Sequence, residues 1–198
     1  MDIPPMSFRP VIISLVVLAL AGLALAFAPT GTTARPDQGD ARPFQLRDTE
    51  GNLVTDTSLR GQVVLLYFGY TFCPDVCPTE LGYVARVLRA MGDDVERTTP
   101  LFVTVDPERD TPELLKGYAP LFHPRIRALT GTPEELAAVF KTFGVTARKV
   151  PGAGSHYLMD HSSSITVLDR QGRVAATIGS TDTIARSVTT LRDILGKP

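Results

Sequence analysis

The apolar positions fall into a few separated runs, each with a readable period. The first, residues 11–28 (VIISLVVLALAGLALAFA), carries no charge and is long enough, at the lower limit, to cross a bilayer as a helix. A second run, 62–70 (QVVLLYFGY), is short and rich in β-branched and aromatic residues, the pattern of a strand buried on both faces. Before it, 44–46 and 52–54 flank Asp48-Thr49-Glu50-Gly51, which predicts a hairpin. After it, Leu81, Val84, Ala85 and Leu88 recur at helical spacing within 78–91. The run 101–105 (LFVTV) predicts a second buried strand, and 126–129 a third. Between them, Thr111-Pro112-Glu113 opens a helix with Pro in its first turn. Thr132-Pro133-Glu134-Glu135 has the form of a capping box, with its helix running to about Phe143. Two more strands, 164–168 and 173–178, surround the tight turn Asp169-Arg170-Gln171-Gly172. Asp182 is expected to cap a last helix that stops at Gly196. The order is a β-hairpin, then β-α-β-α-β-α, then β-β-α. This predicts an α/β domain with a largely parallel central sheet covered on both faces.

The N-terminal run sets the address. Arg9 precedes it and polar PTGTTARPDQGD follows it, so the positive-inside preference leaves the N-terminus in the cytoplasm and the rest outside. Ala24-Leu25-Ala26 and Ala26-Phe27-Ala28 also offer cleavage sites for a signal peptide. Both readings deliver the domain to one compartment. The expected organisation is an anchor or signal peptide over 1–28, a Pro/Gly/Thr/Asp tether over 29–41, and a folded domain over 42–198. The start lacks the Arg-rich, Ser-rich character of a transit peptide. A single-pass protein of a bacterial inner membrane, its domain in the periplasm, is the simplest expectation.

Composition narrows the chemistry. With 20 Lys+Arg against 21 Asp+Glu, there is no basic face for nucleic acid. An apolar content of 43% excludes general disorder. Two cysteines cannot build a disulfide scaffold or fill a four-thiolate zinc site. Both lie in Phe72-Cys73-Pro74-Asp75-Val76-Cys77-Pro78, between a buried strand and a helix, where open α/β sheets bind ligands. Residues i and i+4 on a helical turn share one face, about 6 Å apart. That spacing allows a disulfide, and equally allows two thiolates on one ion. A helix N-terminus favours the thiolate form. Any third ligand must come from His123, His156 or His161. His161 immediately precedes the penultimate strand, so it reaches the cysteines if that strand is antiparallel to its neighbours.

The run Gly69-Tyr70-Thr71-Phe72-Cys73-Pro74-Asp75-Val76-Cys77-Pro78-Thr79-Glu80-Leu81 closely resembles the signature of the Sco/SenC family, thioredoxin-like copper chaperones for cytochrome c oxidase assembly. Thr104-Val105-Asp106-Pro107-Glu108-Arg109-Asp110-Thr111-Pro112 is similar to the family's acidic segment, and Tyr157-Leu158-Met159-Asp160-His161-Ser162 to its histidine segment. The likeness covers roughly residues 40 to 195. It implies a thioredoxin-like fold with an N-terminal β-hairpin, preceded by one transmembrane helix. It implies one copper ion per chain on Cys73, Cys77 and His161. Asp75 is a candidate extra ligand for Cu(II) or a solvated loop carboxylate, and Asp160 a candidate to orient His161 or to form a turn. Asp106 and Asp110 are expected near the site or, for Asp110 or Thr111, at a helix cap. Tyr67, Phe68, Tyr70 and Phe72 are expected as core and site wall.

The resemblance implies delivery of copper to the binuclear centre of oxidase subunit II, with other copper chaperones or periplasmic thiol reductants as further partners. The competing reading is a thiol–disulfide oxidoreductase acting through Cys73 and Cys77. The C-x-x-x-C spacing, the extra imidazole, and the lack of a Pro at the start of the penultimate strand favour the first. A peroxidase is a third reading, since the fold and the second-strand region are shared.

Overall fold

The structure, a computed structural model, describes residues 40–152 and 157–196. The expected anchor at 11–28, most of the tether, and His156 lie outside the described residues. Among the described residues no helix is long and apolar enough to cross a membrane.

Strand β3 (Val63–Gly69) is buried at every position, as its unbroken apolar run requires. It pairs in parallel with β4 (Thr98–Thr104), and β4 in parallel with β5 (Arg127–Thr130). On the far side of β5 lies the hairpin of β1 (Gln45–Asp48) and β2 (Leu53–Thr55). On the far side of β3 lies the hairpin of β8 (Ile165–Leu168) and β9 (Val174–Ile178). The seven-stranded order is β2-β1-β5-β4-β3-β8-β9. The sheet is therefore mixed, and the expectation of a largely parallel one is corrected. Only the centre is parallel. The turns at 49–52 and 169–173 are too short for a crossover, so each forces an antiparallel partner.

Among the described residues four α-helices cover the sheet: α1 (Val76–Met91), α2 (Pro112–Tyr118), α3 (Pro133–Phe143) and α4 (Ile184–Gly196). The pleat of β3 sends neighbouring side chains to opposite faces. Tyr67 stacks on Phe102 of β4, and Phe102 meets Tyr118 of α2. Phe68 turns the other way, to Phe140 and Phe143 of α3. Thr132 and Glu135 complete the expected capping box on α3, and Gly144 closes it in the left-handed conformation at φ 65°. On α4 the capping atom is Thr183 Oγ1, which accepts from Arg186 N–H at 3.3 Å. Asp182 instead accepts from Gly179 N–H at 3.1 Å, in the turn before the helix.

A two-stranded ribbon of β6 (Ala147–Pro151) and β7 (Tyr157–His161) stands apart from the main sheet. Sequence patterning reads this stretch as loop. β7 is half-buried at alternate positions and β6 only at Ala147 and Val150, and short strands of that kind lack an apolar run.

Thr132→Ala is expected to lower stability by about 1 kcal/mol through loss of the cap. Urea unfolding checks this, and binding at the distant cysteines stays unchanged.

Candidate metal centre

The cysteines sit where β3 hands over to α1. Cys73 lies in the connecting loop and is half-buried; Cys77 lies in the first turn of α1 and is wholly buried. Both are free thiols. The backbone N–H of Cys77, one of the unpaired amides at the helix start, donates to Cys73 Sγ at 3.3 Å. The Asp75 side chain makes no capping bond, so a sulfur occupies that place.

Gly69 gives Cys77 its room. A Cβ at Gly69 would lie 3.0 Å from Cys77 Sγ, 3.0 Å from Tyr67 Cε1 and 2.9 Å from Phe102 Cε2. The backbone there is ordinary strand, so glycine is required by space and not by dihedral angle.

His161 ends β7 and reaches the same point. Strand β8 is antiparallel to β3, so the segment preceding β8 lies at the carboxyl end of β3, beside the cysteines. The His161 Nδ1–H donates to the Ser162 carbonyl at 2.9 Å, which leaves Nε2 as the lone-pair nitrogen, 3.4 Å from Cys77 Sγ. Tyr70 packs edge-on against the imidazole, with centroids 5.6 Å apart. The Ser162 carbonyl thus fills the orienting role expected of Asp160. Asp160 is exposed and pairs outward with Arg148 at 2.8 Å.

One donor atom from each of Cys73, Cys77 and His161 can be chosen so that all lie within 4.8 Å of one another. Asp75 is not in this group; it is exposed and accepts from Thr79 Oγ1 at 3.5 Å. His123 is elsewhere, with Nδ1 accepting from Arg125 N–H at 3.3 Å; burial, then Arg89 and Arg125, lower its pKa. Two sulfurs and one imidazole form a soft, low-coordinate donor set suited to Cu(I) or zinc. Burial pushes the Cys77 thiol up to about 12. Burial also pushes the Tyr67 phenol far above its ordinary value, with Cys77 and Cys73 adding to the effect. In the metal-free protein Cys77 therefore holds its proton, and a bound ion must displace it.

The acidic segment is structural support for the site. Asp110 is buried and caps no helix; Thr111 caps α2, accepting from Leu114 N–H at 3.3 Å. The Asp110 carboxylate accepts from the Thr71 amide at 3.2 Å, from Thr71 Oγ1 at 2.5 Å and from Thr104 Oγ1 at 2.7 Å. Burial raises its pKa, against the lowering pull of these bonds. Asp106 is also buried and pairs with Arg109. It accepts from the Tyr157 hydroxyl at 2.8 Å.

Sequence reading passed over Arg109. Its guanidinium carbon lies 3.7 Å from the Tyr157 ring centroid, 4.9 Å from that of Phe72 and 5.6 Å from that of Tyr70. It also donates to the Tyr157 carbonyl at 3.0 Å. Arg109 thereby joins the cysteine loop to the histidine ribbon. Its place in the acidic segment was visible, but the aromatic partners are remote in sequence. Outside the donor atoms, a cavity of about 450 Å³ is lined by residues including Tyr70, Cys73, Val76, Leu158, Met159 and His161.

The fold and the site together define a thioredoxin-like α/β domain with a Cys–Cys–His group that could hold a metal ion at the carboxyl end of β3. The SCO1/SenC family model matches residues 32–196, and the chain belongs to that family. It is 39% identical over 133 residues to a SCO2-like protein of Rickettsia prowazekii, covering 66% of this chain and 65% of that one. It is 38% identical over 168 residues to the mitochondrial SCO2 homolog of Bos taurus, covering 80% and 62%. The chain thus spans slightly less than two thirds of the length of these relatives. Among solved structures it is similar to Bradyrhizobium japonicum ScoI with copper bound, at TM-score 0.73 and 43% identity, covering 79% of this chain and 99% of that one. Yeast Sco1 with copper bound also gives 0.73, at 33% identity, covering 81% and 90%.

The two thiols should react unequally. Brief alkylation of the metal-free, reduced protein near pH 8 is expected to label Cys73 well before Cys77, which is buried and protonated. Peptide mass spectrometry reads the order.

Proposed function

We propose that this protein is a copper metallochaperone of cytochrome c oxidase assembly, taking copper as cargo on Cys73, Cys77 and His161. The observation that carries the reading is the convergence of two sulfurs and an imidazole nitrogen whose tautomer is already set for ligation. The copper-bound relatives from Bradyrhizobium japonicum and yeast support it. Cys77 forms the floor of the site, while Cys73 and His161 line the outer cavity. A cargo ion is thus reachable from one side, where an incoming thiolate can replace Cys73 or His161 before Cys77. The recipient is the binuclear copper centre of oxidase subunit II, with other copper chaperones or periplasmic reductants as further partners. Residues 11–28 would anchor the chain in a bacterial inner membrane, or be removed as a signal peptide, with 29–41 as tether and 42–198 as the copper-binding domain in the periplasm.

The asymmetry of the two thiols favours a second reading, a thiol–disulfide oxidoreductase acting on the oxidase copper-site cysteines. An accessible thiol beside a buried one can attack a partner disulfide and then be released by its neighbour.

Anaerobic titration of the reduced full chain separates the two. One Cu(I) per chain is expected, abolished by Cys73→Ser or Cys77→Ser and weakened at least about tenfold by His161→Ala, since loss of even a ligand's orienting partner costs 10–100-fold. Affinity should fall as pH falls, because protons compete for all three donors. Unchanged Cu(I) binding in His161→Ala, with fast disulfide exchange, would favour the oxidoreductase.

A further inference from the structure

Tyr67 presents an anomaly beside the metal centre. It lies on the central strand at 1% exposure, and its hydroxyl is buried without a hydrogen-bond partner. Burying a hydroxyl unpaired is unfavourable, and a phenylalanine of the same shape would avoid it. The ring edge locates the group: Tyr67 Cε1 and Cys77 Sγ both lie 3.0 Å from the one point where a Gly69 Cβ would stand. The phenol has no partner at hydrogen-bond geometry in the metal-free site, and the Cys77 sulfur lies on the side of its ring edge. Two other polar groups nearby already have partners. Glu80 accepts from Ser180 N–H at 3.0 Å, and Cys73 Sγ accepts from Cys77 N–H at 3.3 Å. In the metal-free protein the Cys77 sulfur has a partner in His161 Nε2 at 3.4 Å. If both atoms ligated a shared ion, that contact would end and the sulfur would bind as a thiolate.

We propose that Tyr67 is a positioning residue for the metal centre, whose buried hydroxyl donates a hydrogen bond to the Cys77 thiolate once the site is loaded. This rests on the copper reading above. The proton leaving Cys77 goes to solvent as the sulfur–metal bond forms, and Tyr67 keeps its own proton throughout. The hydroxyl that is unsatisfied in the empty site is satisfied in the loaded one. Part of the binding free energy thus comes from a group that touches no metal. The partner of the phenol is a charged sulfur, and hydrogen bonds to charged groups are the stronger kind.

The test uses the full chain as wild type, as Tyr67→Phe, and with 3,5-difluorotyrosine at position 67, a stronger donor of nearly the same shape. Cu(I) affinity is measured by chelator competition, the sulfur-to-Cu(II) charge-transfer band by absorption, and metal-free stability by thermal unfolding. Tyr67→Phe is expected to bind Cu(I) about 10- to 100-fold more weakly. Its band should move to lower energy, as a sulfur without a donor is more easily oxidised, while metal-free stability is equal or higher. Difluorotyrosine should keep the affinity and move the band the other way. Unchanged affinity and band in both variants would overturn the inference, as would a Tyr67→Phe protein that loses metal-free stability in proportion to affinity. Wild type that takes up no copper would overturn the copper reading and this inference with it. Wild type that binds one copper alongside a silent Tyr67→Phe overturns the inference alone.

Discussion

One buried carboxylate holds the catalogue of parts in register. Asp110 gathers the Thr71 amide, the Thr71 hydroxyl and the Thr104 hydroxyl on two oxygens that see almost no water. Thr104 ends β4 and Thr71 begins the cysteine loop, so these bonds fix that loop to the neighbouring strand and not merely to its own. In a low-dielectric site such bonds are strong, and each lost partner would leave a buried polar group exposed to its full desolvation penalty. The short acidic segment supplies this carboxylate, the Asp106 carboxylate and the Arg109 guanidinium together. All three act on residues far away in sequence: Thr71, Phe72 and Tyr157. A segment with no ligand of its own thereby decides where the ligands stand.

The three candidate ligands were legible in the chain because soft ligands are few. Two cysteines at i and i+4 after a buried strand leave little freedom, and three histidines leave a short choice. The central strands were equally legible, since β3 is an unbroken buried run and β4 carries the apolar stretch Leu101-Phe102-Val103. What escaped was whatever depends on remote partners. The β6–β7 ribbon has short strands without an apolar run, defined by their pairing with each other. Of the two roles open to Asp160, orienting His161 falls away because strand alternation points the two side chains to opposite faces. The nearest acceptor was a backbone carbonyl, which no side-chain reading can reveal. Asp110 was read as a possible cap because it neighbours Thr111; its true partners lie in the loop after β3 and at the end of β4.

The thiols differ by design of the fold. Cys77 is held on a helix against the sheet, in space that Gly69 leaves open, and burial keeps its proton on. Cys73 sits outside it in a loop stiffened by Pro74 and lines the cavity. The two sulfurs therefore meet any third party in sequence, outer first. This ordering serves a site that exchanges its contents as well as one that exchanges disulfides.

The ribbon that carries His161 shares no ladder with the seven-stranded sheet, whereas both sulfurs are rooted on β3 and α1. The donor set is accordingly split between two separately hydrogen-bonded pieces of the domain. Withdrawing the imidazole would break side-chain contacts, chiefly the Arg109 stack, and leave every strand pairing of the main sheet in place. The centre is built as a clasp of two separately paired halves, and a cation among aromatic rings holds them together.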